Sequence, residues 1–348
     1  MAEPIRVALV GCGDISSTHL RSYQNLGMKV VGLCDVILPR AQRRKEEFGL
    51  TDTPIFEDFG EMLKKTESDL VTVATPVACH APLTIAALRA GRHVACEKPS
   101  TLCIAENKQV IEEAKKAGKK VIFFSSRMRW AEVSMARQFI QDGELGEIYR
   151  VNVQFFRRRG RPGVDMMHNA RWFVDREKSG GGVVMDMGQY FMDMVFSLTG
   201  WPEIQSATGW TFKGFPHELP EGIPFDVEEH CTIFARSAKC SYTFDLAWIS
   251  NHPDTRSIYI LGTKGGITIN KDGSYRIDQV VYVTRDGHKK IVLGAGGQTI
   301  KSIGAESRKE LMEIFEVPVH LFLFVKVREK WGDDPERYRE MGLEFPKE

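Results

Sequence analysis

V-A-L-V-G-C-G-D-I-S, residues 7–16, sets an apolar run directly before two glycines and the start of a helical pattern. Glycine at 11 and 13 permits a tight strand-to-helix turn and lets the backbone approach a pyrophosphate. The free N–H groups and positive dipole end of the following helix can then receive that pyrophosphate. Asp14 and Ile15 complete the turn, and Ser16 stands where G-x-G-x-x-G has its third glycine. Asp35 ends the next apolar run, at about the 20-residue spacing from which a carboxylate reaches the adenosine ribose hydroxyls. A carboxylate there repels a 2′-phosphate, so the expected cofactor is NAD. Arg40, Arg43 and Arg44 lie close by in sequence and keep NADP possible; otherwise they read as a solvated helix face.

Outward from this turn, apolar runs at 5–10, 30–35, 70–75, 93–96 and 120–124 alternate with amphipathic stretches. Gly27, Gly49, Gly91 and Gly118 fall where left-handed terminators would end the intervening helices. This is the grammar of a parallel sheet covered by helices, and it predicts a Rossmann dinucleotide-binding domain over 1–125. Beyond it the pattern changes. A helix is expected near 131–142, followed by a half-buried strand in E-I-Y-R-V-N-V-Q-F-F (147–156). Residues 232–248, 257–269 and 280–294 each read as two strands around a turn, the last on the hairpin signal Asp286-Gly287. A buried helix is expected at 183–198, apolar nearly all round, and a last helix at about 306–331. The predicted fold class is α/β: an N-terminal Rossmann domain, then an α+β domain over 126–348 with a mainly antiparallel open sheet, serving substrate binding and oligomerisation.

The chain has 348 residues, enough for two cores, and its 47 basic and 46 acidic side chains leave no excess to draw it onto nucleic acid or anionic lipid. The expected partner is a small molecule, with no nucleic acid and no membrane. The seven cysteines are scattered and never spaced C-x-x-C, which suggests neither a disulfide framework nor a metal site. A reducing, cytoplasmic setting follows as an expectation. It is supported by a strand starting too early to leave room for a signal peptide and by the lack of a run of roughly 18 apolar residues.

T-P-V-A-C-H (75–80), G-R-H-V-A-C-E-K-P (91–99) and S-G-G-G-V-V-M-D-M-G-Q-Y (179–190) resemble the Gfo/Idh/MocA family of sugar and cyclitol oxidoreductases, with V-E-E-H (227–230) and L-G-T-K-G-G-I (261–267) in familiar places. The resemblance reaches across nearly the whole chain, except that the segment after about 310 has no recognisable counterpart. It implies a cofactor site that adds Thr75, Pro76, His80, Glu97 and Lys98 to the glycine turn, and catalysis by Lys98, Asp186 and Tyr190. Tyr190 departs from the commoner histidine and is similar to the subset containing glucose-fructose oxidoreductase and the dihydrodiol and xylose dehydrogenases. The implied activity is hydride transfer between NAD(P) and a ring hydroxyl or ketone of a sugar, cyclitol or related polyol. Relatives that cleave glycosides through transient oxidation, or that bind dinucleotide only to regulate, are the alternatives.

The residues carry their own chemistry beside the resemblance. Lys98 follows a strand at its carboxyl end, the side on which open α/β sheets bind ligands, where an ammonium can stabilise a developing oxyanion. Asp186, Tyr190 and Asp193 fall on one helical stripe. A phenol of pKa about 10 is a poor base at neutral pH unless a nearby ammonium favours the phenolate, which leaves open whether Tyr190 takes the proton or orients the substrate. Asp193 is either catalytic or a structural anchor, and His80 either touches the cofactor or is a satisfied structural histidine. Substrate contacts are expected from Lys98, Asp186, Tyr190, Arg157, His168 and Trp172, the last with Phe173. Arg157 and Arg159 share a strand face, and the cluster with Arg158 and Arg161 reads either as an acidic-substrate or subunit contact or as a solvated strand end. The exposed sheet suggests a homodimer or homotetramer.

Overall fold

The computed structural model describes residues 3–125, 131–269, 275–315 and 319–328. Six parallel strands, β1 (Arg6–Val10), β2 (Lys29–Cys34), β3 (Ile55–Phe56), β4 (Leu70–Val73), β5 (His93–Cys96) and β6 (Val121–Phe123), form a sheet ordered β3-β2-β1-β4-β5-β6. Helices α1 (Ser16–Asn25), α2 (Leu38–Glu47), α3 (Phe59–Lys65), α4 (His80–Arg89) and α5 (Ile104–Ala117) connect them. Alternation along β1 sends Val7 and Leu9 to a core with Leu20, Tyr23 and Ala41, and Ala8 and Val10 to a core with Met62, Ala87 and Leu88. Both faces of the sheet are thereby covered, which is why its strands read as continuous apolar runs. Gly27, Gly49, Gly91 and Gly118 all have positive φ, as the helix ends required. Strand order reverses between β1 and β4, opening a crevice at their carboxyl ends.

The second half contains α6 (Ala131–Gln141), β7 (Ile148–Phe156), α7 (Arg176–Ser179), a π-helical turn at Val184–Gly188 that runs into α8 (Gln189–Leu198), and β8 (Ser206–Phe212). There follow β9 (His230–Arg236), β10 (Ser241–Ala247), β11 (Thr255–Gly262), β12 (Gly266–Ile269), β13 (Tyr275–Val283), α9 (Asp286–Leu293), α10 (Gln298–Phe315) and β14 (Val319–Val327). The strands build one sheet in the order β14-β13-β12-β11-β7-β10-β9-β8. Its neighbours are antiparallel except β7 with β10 and β13 with β14, so the sheet is mixed but mostly antiparallel, as expected. Val151, Val153 and Phe155 of β7 and Tyr242, Phe244 and Leu246 of β10 pack against Phe191, Met194 and Val195 of α8, the predicted buried helix.

Two expectations fail near the C-terminus. Asp286-Gly287 makes no hairpin. The partner of β13 is β14, parallel and in register over nine residue pairs, so residues 286–293 have no edge to join and form α9. Asp286 in the first turn of α9 suits the positive end of the helix dipole. The last helix also ends earlier than expected, because α10 stops at Phe315 and V-H-L-F-L-F-V-K-V (319–327) takes up the strand its period-two alternation favours.

Candidate active site

At the crevice, Gly11 has φ of 93°, and a Cβ there would stand 2.3 Å from the Ala74 carbonyl oxygen, so no other residue fits the crossing of β1 and β4. A Cβ on Gly13 would meet nothing within 4 Å, and no side chain caps the start of α1, so the turn presents an open face. The Thr75 hydroxyl, buried in the same crevice, has no partner. An open glycine, an uncapped helix and an orphaned hydroxyl fit a bound dinucleotide. Ser16 explains the missing third glycine. Its buried Oγ donates to the Gly13 carbonyl oxygen (2.5 Å) and accepts from Arg44 Nε (2.8 Å), and Arg44 Nη2 donates to the same carbonyl oxygen (2.8 Å). Arg44 is therefore a buried brace of the turn and not part of a solvated face, whereas Arg43 is exposed. Asp35 closes β2 with its carboxylate accepting from the N–H groups of Cys12 and Ile37, both at 2.8 Å.

His80 opens α4 with both ring nitrogens on carbonyl oxygens, Nδ1 to Pro99 at 2.8 Å and Nε2 to Thr75 at 2.9 Å. Burial pushes its pKa below the ordinary value, although those carbonyl contacts favour the charged ring. It is a clamp between the ends of β4 and β5. Glu97 faces back into the Rossmann half, accepting from the Lys98 N–H and pairing with His19 Nε2 at 2.8 Å.

Lys98 turns the other way. Its Nζ lies 2.6 Å from Asp186 Oδ1, 4.8 Å from the centroid of the Tyr190 ring and 6.0 Å from that of Phe173. Burial alone would lower its pKa; the Asp186 carboxylate and then Tyr190 more than offset this, and the ammonium is held above its ordinary value. Asp186 Oδ2 accepts from the indole Nε1 of Trp248 at 2.8 Å, so each carboxylate oxygen has its own donor. The expected stripe of α8 does converge on the Rossmann half, since Asp193 also accepts from Ser125 Oγ, as an anchor between the halves. The S-G-G-G segment owes its glycines to close packing. A Cβ on Gly182 would lie 1.9 Å from the Glu228 carbonyl oxygen, while the Glu228 carboxylate accepts from the N–H groups of Gly182 and Val184 at the start of the Asp186 turn.

The other substrate candidates divide. Arg157 points inward, its Nη2 3.9 Å from the sulfur of Met187. Trp172 stacks on Phe173 at 3.9 Å, so Phe173 is the ring nearer to Lys98. His168 is exposed in the loop before it, and nothing joins its ring to the cluster. Arg161 is not a surface cation, being buried in ion pairs with Asp165 and Glu229. Arg158 and Arg159 are exposed. The residue that sequence reasoning missed is Trp248. Its signal was available, because it continues the buried face of β10 and a buried indole N–H needs an acceptor.

Residues 5–125 match the Gfo/Idh/MocA oxidoreductase family with its NAD-binding Rossmann fold, and residues 133–268 match the C-terminal domain of that family. The match stops well short of the nearly whole-chain reach expected. Residues 261–332 match the KH domain family instead. Among solved structures, the WlbA dehydrogenase from Bordetella pertussis in complex with NADH and UDP-GlcNAcA aligns with a TM-score of 0.68 at 26% identity, covering 77% of this chain and 78% of that one. A levoglucosan dehydrogenase complexed with NADH and levoglucosan shares the fold, with a TM-score of 0.68 at 21% identity over 77% of this chain and 74% of its own. A curated relative of a different kind is the GTPase Era of a Bradyrhizobium species (strain BTAi1), 74% identical over 81 residues, which are 23% of this chain and 26% of the GTPase. GTPase Era of Sinorhizobium medicae is 71% identical over 77 residues. The chain spans about a quarter of the length of these GTPases.

Proposed function

Because the chain up to residue 268 belongs to the Gfo/Idh/MocA oxidoreductase family and is an NAD-dependent oxidoreductase acting on CH–OH groups, we propose that its reaction is hydride transfer at a ring hydroxyl of a sugar, cyclitol or related polyol. The observation that carries this reading is the Lys98–Asp186–Trp248 cluster, with Tyr190 beneath the ammonium, at the carboxyl end of β5. The nicotinamide supplies the hydride acceptor when bound. Gly11, Gly13, Asp14 and Ile15 would hold the pyrophosphate, Asp35 the adenosine ribose, and Thr75 and Pro76 the wall of the crevice. The Lys98 ammonium, kept charged by Asp186, hydrogen-bonds the substrate oxygen and stabilises negative charge on it as the carbinol C–H leaves with its electron pair. The hydroxyl proton passes to Tyr190 as its phenolate, or the neutral phenol relays it, releasing its own proton to water as it takes up the substrate's. Trp172 and Phe173 offer the ring an apolar wall.

The relatives named above carry NADH with UDP-GlcNAcA or levoglucosan, which agrees with a sugar-sized substrate. The test is NADH formation from purified protein with NAD and a panel of sugars and inositols; tight cofactor binding without turnover of any of them would sink the reading. No described helix is long and apolar enough to cross a membrane, and all seven cysteines are free, with Cys12, Cys34, Cys96 and Cys231 pushed up to about 12 by burial. These facts support a reducing, cytoplasmic setting. The open face of β8 and β9, with Trp210, Phe212 and Phe234 exposed, supports assembly into a homodimer or homotetramer, which light scattering reads directly.

A second reading applies to the C-terminal segment. KH domains clamp about four backbone nucleotides of single-stranded RNA with a G-x-x-G loop. Here Gly294-Ala295-Gly296-Gly297 links α9 to α10, and Cβ atoms on Gly296 and Gly297 would meet nothing within 4 Å. Beside it, a groove of about 400 Å³ between α10 and β14 is lined by Lys301, Arg308 and Leu321–Phe324. The balanced charge of the whole chain argued against a nucleic-acid partner, yet residues 285–309 hold six basic side chains against two acidic ones. Anisotropy of a labelled single-stranded RNA at several salt concentrations tests this. Ala295→Asp with Gly296→Asp sets two carboxylates against the phosphates and should abolish salt-dependent binding; undiminished binding counts against the reading.

A further inference from the structure

β7 and β10 run parallel with Phe156 opposite Ala247, and the Arg157 N–H donates to the Ala247 carbonyl oxygen at 3.0 Å. Arg157 and Trp248 are thus the first residues beyond neighbouring strands, at the same end of the sheet. Trp248 reaches Asp186, and Arg157 reaches Met187, the next residue along. Alternation along β7 buries Val151, Val153 and Phe155, and Arg157 continues that inward face, with its guanidinium 5.1 Å from the centroid of the Phe155 ring.

The hydrogen bonding of this half-buried cation is poor for its position. Nη1 donates to the Gly160 carbonyl oxygen at 3.0 Å, while its other contacts, at 3.8 and 3.9 Å, end on the sulfurs of Met166 and Met187. Thioethers are weak acceptors, and a guanidinium carries five donors. Among the described residues no carboxylate pairs with Arg157, although Arg161, four residues on, has two. The stem is fixed, since it lies across Gly160, where a Cβ would stand 2.4 Å from Arg157 Cδ. A positioned guanidinium that reaches the residue after Asp186 and is short of an anion is suited to bidentate recognition of a carboxylate.

We propose that the sugar or polyol taken by this site carries a carboxylate, and that Arg157 binds it. The inference rests on the dehydrogenase reading above and narrows its substrate class to uronic or other sugar acids. A carboxylate arriving at Arg157 displaces the two thioethers and orients the ring hydroxyls relative to Lys98.

The experiment compares D-glucuronate with D-glucose, and D-galacturonate with D-galactose, by NADH formation and by quenching of protein-bound NADH. The wild-type protein should favour each acid over its neutral partner. Arg157→Met should lower the acid-to-neutral ratio of kcat/KM by about thirtyfold, the size of a lost charge-assisted contact. Arg157→Lys, which keeps the charge without the fork, should recover part of it; thermal unfolding confirms that both variants fold. A preference for neutral sugars, or a ratio in Arg157→Met within threefold of wild type, overturns the proposal and leaves the dehydrogenase intact. If no sugar is turned over but uronates quench bound NADH and Arg157→Met stops them, the proposal holds and the dehydrogenase reading fails. Uronates that neither bind nor react overturn the proposal.

Discussion

Replacing Asp186 with Asn keeps the shape of the side chain and removes the charge that holds Lys98 ionised. The ammonium is 15% exposed and the carboxylate 8%, at 2.6 Å, so solvent screens the pair weakly. Breaking a buried ion pair from one side costs about 3–5 kcal/mol because the remaining charge stays desolvated. Lys98 has a way to limit that cost, since it can shed its proton; a loss near the lower bound, about 3 kcal/mol, is therefore expected near neutral pH. At about 2.1 cal/mol/K of unfolding entropy per residue, that is a fall of about 4–5 °C in the unfolding midpoint. Without Asp186 the burial of Lys98 is no longer offset to the same extent, so its pKa should drop. Amine labelling of Lys98, followed by peptide mass spectrometry across pH, should then accelerate at lower pH than in the wild type. The double variant Lys98→Met with Asp186→Leu removes both charges and should regain most of the lost stability while remaining inactive, which separates the ion pair's structural cost from its catalytic use. An Asp186→Asn protein within about 1 kcal/mol of wild type, with an unchanged Lys98 labelling profile, would refute the reasoning.

Trp248→Phe deletes the donor to Asp186 Oδ2 but keeps an aromatic ring. Hydrogen bonds to charged groups are worth about 1.5–3 kcal/mol, so kcat should fall at least tenfold while NADH affinity, measured by fluorescence, holds; equal losses in both would mean the indole is only packing. Gly11→Ala pushes a Cβ into the Ala74 carbonyl oxygen at a φ of 93°, and should weaken NADH binding and lower the unfolding midpoint together; wild-type behaviour in both assays would count against the crossing described. Since burial lowers the folded pKa of His80 below its ordinary 6.5, the unfolded chain takes up that proton first on acidification. Its contribution is complete above about 6.5 and lost as pH falls from there through the folded value. His80→Asn should flatten the acid side of the stability profile; an unchanged slope would contradict the assignment.

The Rossmann half was legible because local signals there agree. Each apolar run is flanked by a helix whose glycine terminator has the conformation that glycine permits, and Gly11 was marked by its place between the first strand and the first helix. β3 escaped because two residues carry no period. At the site, Lys98 and Asp186 were readable from motif and position, but the second partner of Asp186 was not: Trp248 and Asp186 are 62 residues apart, and which indole meets which carboxylate is decided by tertiary packing. Arg44 and Arg161 read as surface charges because sequence shows charge and not burial. The misreading of 286–331 has the same origin. A hairpin signal of two residues loses to a nine-residue parallel pairing that only the folded chain reveals.

The two likenesses meet at β12, where residues 261–268 fall within both matched ranges. β12 pairs with β11 on one side, and on the other with β13 through Ile267–Ile277, Thr268–Arg276 and Ile269–Tyr275. Edge pairing is made by backbone groups and asks little of side chains, so a sheet can be extended at an edge by strands of another kind. The Lys98–Asp186–Trp248 cluster lies on the opposite side of β11, at the end of β10, and α9 and α10 pack on β13 and β14. Three paired positions are a short junction between two units with separate helical covers. We expect heat to unfold the chain in two steps, with NADH at about 100 times its Kd stabilising only the step that includes the Rossmann half, by about 2.7 kcal/mol. Calorimetry with and without NADH decides it. A single transition that moves as a whole with cofactor would show that the sheet transmits stability across β12, and that the segment after residue 268 is part of the oxidoreductase in energy if not in ancestry.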